Sequence, residues 1–290
     1  MQELVIISGK GGTGKTSVTA SFAVLAERPV IADCDVDAAD LHLILAPGFR
    51  ERHEFRAGHE AIIRPEKCIA CGACLRLCRF DAVRTDTGRN GECTFAIDPV
   101  ACEGCGVCVR FCPEQAIDFP ERICGEWLVS DTRCGPMVHA RLGVAAENSG
   151  KLVSIVRQEA RRIAEQNGHP LVIVDGPPGI GCPVIASVTG ASLVLAVTEP
   201  TVSGEHDLER VLSLTRHFRI PTTVCVNKWD LNPQMTERIE AKAREAGARI
   251  AGRIRYDRAV TLAQMQEKAV VEMDAPCVED ICAIWNRLEL

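Results

Sequence analysis

Short, mostly apolar runs recur along this 290-residue chain, at residues 3–7, 29–32, 171–174, 192–197 and 222–226. Each ends at Gly, Pro, Asp or Ser or close to one, and most lead into a stretch of helical character. Buried parallel strands joined by crossover helices give this pattern. Residues 249–254 are a weaker strand candidate. Helices are expected over 16–26, 203–217, 233–246, 258–267 and 277–288, and 41–45 is a further apolar run. The rhythm breaks twice. Residues 49–60 are crowded with charge and read as a linker, and residues 62–118 are rich in cysteine and repeat internally. The expected organisation is an α/β domain with a mostly parallel sheet, built from 1–58 and 120–290 and split by a small α+β insert at 59–119.

Composition narrows the function. Apolar residues make up 47% and charged residues 25%, as in an ordinary soluble globular protein. Aromatics at 4% and a net charge of −6 argue against a base-stacking nucleic-acid surface or an anionic-membrane partner. No apolar run approaches the roughly 20 residues that span a bilayer. The N-terminal residues lack a basic n-region and read as a first strand, so a cytoplasmic location is expected. Sixteen cysteines, eight of them in metal-type spacing, favour a reduced compartment with metal clusters over disulfides.

Gly9-Lys10-Gly11-Gly12-Thr13-Gly14-Lys15-Thr16 fits the phosphate-binding pattern G-x-x-x-x-G-K-[ST] between a strand and a helix, with Ser17 next in that helix. The glycines let backbone N–H groups turn toward phosphate oxygens, and the helix N-terminus adds its positive end. Lys15 can reach the β- and γ-phosphates, and the Thr16 hydroxyl can bind Mg²⁺.

Lys10 sharpens the pattern. The run 10–16 resembles the deviant Walker A loop of the MinD/ParA/nitrogenase-iron-protein family of ATPases. The resemblance implies a homodimer that forms on ATP binding, with Lys10 reaching the partner's nucleotide. Asp33-Cys34-Asp35 matches the family's D-x-D, which implies that Asp35 orients the attacking water and that Asp33 lies near Mg²⁺. The segment 171–179 resembles a Walker B strand with switch II. Asp175 would then hold Mg²⁺ through water, and the Gly176 N–H would meet the γ-phosphate. Asn227 resembles the family's adenine-contacting asparagine. The resemblance covers about 1–48 and 120–290, and makes Lys10, Lys15 and Asp35 the catalytic candidates.

Cys68-x2-Cys71-x2-Cys74-x3-Cys78 recurs 34 residues later as Cys102-x2-Cys105-x2-Cys108-x3-Cys112-Pro113. This resembles bacterial two-cluster ferredoxins, in which the fourth cysteine serves the other cluster. The resemblance implies two [4Fe–4S] clusters. One would be held by Cys68, Cys71, Cys74 and Cys112, and the other by Cys102, Cys105, Cys108 and Cys78. Two Cys₄ zinc sites are the rival reading, which the spacing disfavours. Arg79 stands where the second half has Pro113, either near a cluster or facing solvent.

Of the remaining cysteines, Cys34, Cys93, Cys124, Cys134, Cys225, Cys277 and Cys282 are mostly expected as small core residues. Cys182 follows Asp175 by seven residues, where the nitrogenase iron protein has a bridging-cluster ligand, but packing or an exposed thiol is the expectation here. Asn148 or Ser149 is expected to cap a helix, and His139 to be a satisfied polar residue.

Three functions compete. The first is an ATPase whose dimer gates electron transfer through two clusters to an unidentified redox partner. The second is an assembly or carrier ATPase of the Mrp/Nbp type, with a cofactor-assembly partner. The third is a MinD/ParA-like positioning ATPase. The duplicated ferredoxin run favours the first. The acidic final helix disfavours membrane targeting, and intact Lys10, Lys15, Thr16, Asp35 and Asp175 argue against a vestigial nucleotide site.

Overall fold

The computed structural model describes residues 1–87, 93–143 and 148–290. The chain forms two compact units. One comprises Met1–His53, Glu126–Leu142 and Asn148–Leu290, and the other Glu54–Gly125 with Gly143–Glu147. The expected boundaries at 58/59 and 119/120 fall a few residues away from these.

In chain order the elements begin with β1 (Gln2–Ser8), α1 (Lys15–Leu25), β2 (Val30–Asp33), α2 (Leu41–Leu45) and β3 (Gly48–His59). Then come β4 (Ile62–Ile63), α3 (Ala73–Leu77), β5 (Val83–Thr87), β6 (Cys93–Ile97), α4 (Val107–Arg110) and β7 (Ile117–Asp118). The chain continues through β8 (Glu121–Thr132), β9 (Gly135–Leu142), α5 (Ser149–Asn167), β10 (Leu171–Pro178), α6 (Cys182–Val188) and β11 (Leu193–Thr198). It ends with α7 (Val202–His217), β12 (Thr222–Asn227), α8 (Pro233–Glu245), β13 (Arg249–Ile254), α9 (Ala259–Met265) and α10 (Pro276–Arg287).

Nine strands form one sheet in the order β13-β12-β11-β1-β10-β2-β9-β8-β3. From β13 to β9 every neighbouring pair is parallel. This is the α/β class with a mostly parallel sheet. Leu4 to Ile7, Val172 to Val174 and Val194 to Val197 are essentially solvent-free, because helices cover both faces of such a sheet. Glu3 interrupts the first apolar run and is 3% exposed. It survives there because Arg157 of α5 grips both its oxygens at 2.6 and 2.8 Å, and Arg161 joins them. Among the described residues, no helix is long and apolar enough to cross a membrane.

Two local expectations are corrected, and one hairpin was not expected. Residues 49–60 are not a linker but most of β3, an edge strand. Its core-facing side is legible only at Phe55 and Ala57, because the remaining positions carry the charge that keeps an exposed edge from pairing with other chains. Residues 121–142 form the β8–β9 hairpin, turned by Arg133-Cys134, a two-residue connection that only antiparallel neighbours allow. Asn148 does precede α5, but its side chain caps nothing; its backbone takes the left-handed conformation instead, with φ 73°.

In the second unit β4 pairs antiparallel with β7, and β5 with β6. Its apolar cluster is Ala61, Ile63, Cys74, Val83, Phe95 and Ile117, with Cys68, Cys78, Cys102, Cys108 and Cys112 packed against it. The 34-residue repeat is visible in the backbone. Gly72 and Gly106, with φ 69° and 70°, open α3 and α4 at equivalent places, and a positive φ there suits glycine.

Candidate functional site

The site lies at the carboxyl ends of the parallel strands, where ligands bind in open α/β sheets. β1 ends at Ser8, whose hydroxyl donates to the Lys10 carbonyl at 2.7 Å and tightens the turn. The loop then runs through Gly12 and Gly14 at φ 79° and 88° into α1. A side chain at Gly14 would meet the Asn227 amide nitrogen at 2.3 Å, and one at Gly9 would meet Asp207 Cβ at 2.4 Å.

Lys15 opens α1 and turns its ammonium inward. It donates to Asp175 Oδ1 at 2.9 Å and to Asp35 Oδ2 at 3.3 Å, and Thr19 donates to the same Asp175 oxygen at 3.0 Å. The register explains the convergence: Asp33 of β2 lies opposite Asp175 of β10, and Asp35 follows two residues on. Burial by itself would lower the Lys15 pKa; Asp175 and Asp35 outweigh it, and the net shift is upward. Burial also raises the Asp35 carboxyl, against the opposing pull of Lys15. Asp33 is solvent-free and raised well above the usual range, first by burial and then by Asp175. Its oxygens accept from the backbone N–H groups of Asp35 and Leu41 at 3.2 and 3.3 Å, so it shapes the turn that presents Asp35. Two polar atoms here are buried without a partner, Asp175 Oδ2 and Thr13 Oγ1.

A cavity of about 760 Å³ opens over this constellation, within the range of small-molecule sites. Gly11 to Val18, Asp35, Asn227 and Lys228 line it, together with Ile254 at the end of β13 and Arg255 to Asp257 after it. Thr16 and Ser17 are among these lining residues, and Gln264 of α9 donates to Ser17 Oγ at 3.0 Å. Gly176 is buried, and a side chain there would press on Ile7 at 2.7 Å.

Lys10 is not free. Its ammonium pairs with Glu199 at 2.5 Å and donates to Ser203 and Thr201 at 3.0 and 3.4 Å. Glu199 also meets Lys228 at 3.3 Å. Partial burial opposes it, but the two ammoniums hold the Glu199 carboxyl below its usual range. Sequence reasoning missed Glu199, Thr19, Gln264 and the 254–257 loop. Glu199 had one available signal: it directly follows a strand at the same edge of the sheet. Asn227 has both polar ends committed, Nδ2 to the Thr13 carbonyl at 2.8 Å and Oδ1 to the Lys228 N–H at 2.9 Å.

In the second unit Cys68, Cys71, Cys74 and Cys112 line one apolar hollow with Ile63, Phe95 and Ile117. The Ala116 N–H donates to Cys112 Sγ at 3.3 Å. Cys78, Cys102 and Cys108 are partly buried, and Cys105 is exposed. Among the described residues no three His, Cys, Asp or Glu side chains converge as they would on a single metal ion. Cys34, Cys225 and Cys277 are solvent-free core residues and Cys124 is buried. Cys134 and Cys282 are half-buried, while Cys93 and Cys182 are exposed. His139 is buried beside Ser130, with Nε2 at 2.9 Å from the hydroxyl, but its Nδ1 lacks a partner.

Fold and site together define a P-loop nucleotide-binding protein. A family model described as the CobQ/CobB/MinD/ParA nucleotide binding domain matches residues 4–270, and the chain belongs to that family. It is 33% identical over 243 residues to the uncharacterized protein MJ0578 of Methanocaldococcus jannaschii, which covers 80% of each chain. MJ0579 of the same organism is 23% identical over 264 residues, covering 80% of this chain and 83% of that one. Among solved structures, the cell division ATPase MinD of Pyrococcus furiosus superposes with a TM-score of 0.58 at 15% identity, covering 99% of this chain and 98% of its own. MinD of Pyrococcus horikoshii in complex with Mg-ADP gives 0.60 at 13%, covering 99% and 96%. At such identities the solved structures bear on the fold alone.

Proposed function

We propose that the chain hydrolyses a nucleoside triphosphate, ATP by resemblance to its family, as a nucleotide-driven homodimer, and that its cysteine-rich unit carries two [4Fe–4S] clusters through which the dimer gates electron transfer. The observation that carries the nucleotide half is the Lys15–Asp35–Asp175 constellation under the loop, with Asp175 Oδ2 and Thr13 Oγ1 buried and unpartnered beside it. A buried polar atom without a partner costs about 1–3 kcal/mol, and two of them in one cavity suit a polar ligand. Thr16 and Asp175 would hold Mg²⁺, which would neutralise phosphate charge. Lys15 would leave its carboxylates for the phosphates, and Asp35, so released, would orient the attacking water. Lys10 would leave Glu199 and place its charge on the partner's nucleotide, as an arginine finger does.

For the clusters the fit rests on the donor set. Thiolates are soft ligands suited to iron. Cys68, Cys71, Cys74 and Cys112 line one hollow, and a backbone N–H already points at Cys112. A cubane takes its four cysteines on four different irons, so they need not converge as on a single ion. The hollow holds only about 20 Å³, so uptake requires the cysteine side chains to swing apart. Bound clusters would supply one-electron transfer.

A MinD/ParA-like positioning function is the second reading; solved structures that share the fold are named for cell division and plasmid partition. Iron content separates the two. Anaerobically reconstituted protein should hold about eight irons per chain, and hydrolysis should fall in Lys10→Ala with binding largely kept, while Lys15→Ala loses both. Stoichiometric zinc without iron charge-transfer absorbance would remove the redox reading and leave the positioning one.

A further inference from the structure

Two neighbouring strands end in step. Ile7 of β1 lies opposite Ala196 of β11, so three residues further on Lys10 and Glu199 leave the sheet side by side. Their pairing at 2.5 Å follows from that register. The chain around them is held. The Ser8 hydroxyl fixes the Lys10 carbonyl at 2.7 Å, and Gly9 lies so close to α7 that a side chain there would strike Asp207. Thr201 Oγ1 accepts from the Gly204 N–H at 3.0 Å, which seats the start of α7. What is left to move is the flexible four-carbon stem of Lys10.

The direction of that stem matters. Every residue from Gly11 to Val18 lines the nucleotide cavity, and Lys10 does not. Its ammonium lies instead among Glu199, Thr201 and Ser203, where the intervening Val202 is 72% exposed. Glu199 is shared between two lysines. Oε1 holds Lys10, while Oε2 holds Lys228 at 3.3 Å. Lys228 is also tied to the Gly12 carbonyl at 3.3 Å. The carboxylate therefore keeps a counter-ion when Lys10 departs.

We propose that Glu199 is a latch. It stores Lys10 within its own protomer and so sets the threshold for nucleotide-driven dimerisation, and Lys228 keeps the carboxylate paired once Lys10 has crossed to the partner. The proposal rests on the dimer reading above and adds the contact that opposes dimerisation. The charges fix the signs. In the monomer Glu199 meets two ammoniums, and in the dimer it meets one. Neutralising Glu199 therefore costs the monomer more and favours the dimer. Removing the Lys228 charge leaves Glu199 paired in the monomer and bare in the dimer, which favours the monomer. With Glu199 already neutral, Lys228 has no carboxylate to hold, and its removal loses that effect.

The test is sedimentation equilibrium of the full chain with Mg²⁺ and a saturating non-hydrolysable ATP analogue. Wild type, Glu199→Gln, Lys228→Met and the double variant are compared. Partly exposed ion pairs change an equilibrium by roughly 1.5–5-fold each. A dimer opens two latches, so each single variant should move the dimer dissociation constant by roughly 2–30-fold. Glu199→Gln should tighten the dimer, and a gain of association cannot come from misfolding. Lys228→Met should weaken it in the wild-type background and have little effect in Glu199→Gln, the non-additivity expected of residues in one charge network. A Glu199→Gln dimer no tighter than the wild type's, or a Lys228→Met effect equally large in both backgrounds, overturns the latch and leaves the dimer standing. Monomers throughout at saturating nucleotide overturn both.

Discussion

Beneath the phosphate loop, Lys15 binds both Asp35 and Asp175. The strands that present them are backed by a large apolar cluster running from Leu4 and Phe22 to Ile281 and Ile284. Among the described residues of the cysteine-rich unit the buried cluster is six residues, two of them Ala and Cys, and five further cysteines pack against it alongside Ala70, Ile97, Val109 and Phe119. The first unit keeps its functional side chains in order with its own charges. The second offers thiols where a core would have Leu or Ile. Small units without a sufficient core lean on metal or disulfides, and metal-binding free energy then becomes folding free energy. The two units should therefore respond in opposite ways to the loss of their ligands.

The largest expected effect follows. Removing iron with a chelator under anaerobic conditions should unfold or loosen Glu54–Gly125, while the nucleotide unit keeps its structure and its nucleotide affinity. For structural zinc in small finger peptides the energies run to about 10–16 kcal/mol, which sets the scale such a dependence can reach. Amide hydrogen exchange measured segment by segment decides it: protection across 62–118 that is the same with and without iron would refute the dependence on clusters.

The converse experiment attacks the first unit. Glu3→Ala leaves Arg157 buried against the strands with no counter-ion, and breaking a buried pair costs about 3–5 kcal/mol. Chemical denaturation followed through the nucleotide unit should report that loss, while the iron absorbance melts where it does in the wild type. A shift of less than about 1 kcal/mol would mean that water and the Ala186 and Thr189 carbonyls, which Arg157 already meets, suffice for its charge.

Next comes pH. Burial, followed by the neighbouring His42 and Arg141, pushes the His139 imidazole down to about 4. The unfolded chain binds that proton near 6.5, so the unfolded state takes up more protons between those values. The contribution of His139 is complete above about pH 6.5 and disappears as pH falls toward 4, on the order of 3 kcal/mol in all. His139→Leu should flatten stability against pH over this window, and an unchanged slope would clear His139 of responsibility.

How much of this was legible in the sequence follows the same division. The parallel strands were readable because burial on both faces makes each one nearly continuous in apolar residues. The phosphate loop was readable because its chemistry is local. β3 and the β8–β9 hairpin were not, since an edge strand is half charge and the hairpin turn Arg133-Cys134 lacks the usual Asn-Gly signal. Glu199 and Gln264 were missed because their contacts exist only once distant strand ends and helices are brought beside the loop. The cysteine repeat was legible as spacing, and Gly72 and Gly106 show the same repeat in the backbone.

The smallest expected effect is also the one that joins the two regions: nucleotide state should shift the cluster reduction potential. Asp33, beside the nucleotide carboxylates, pairs through the backbone with His139 of β9. β9 is the sheet neighbour of β8, and β8 begins within the cysteine-rich unit's own stretch of chain. A rearrangement at Asp35 when Lys15 turns to phosphate therefore has a continuous hydrogen-bonded and covalent route to the cysteine-rich segment. Coupling between sites typically amounts to about 1–3 kcal/mol and is reciprocal, which for a one-electron cluster corresponds to roughly 40–130 mV. Potentials measured in the apo, nucleoside-diphosphate-bound and non-hydrolysable triphosphate-bound states should differ by that much, and reduction should change nucleotide affinity by the same free energy. His139→Leu, away from the phosphates and the cysteines alike, should diminish the shift without abolishing binding at either end. Potentials indifferent to nucleotide, together with affinities indifferent to reduction, would leave two regions that share a chain and nothing more.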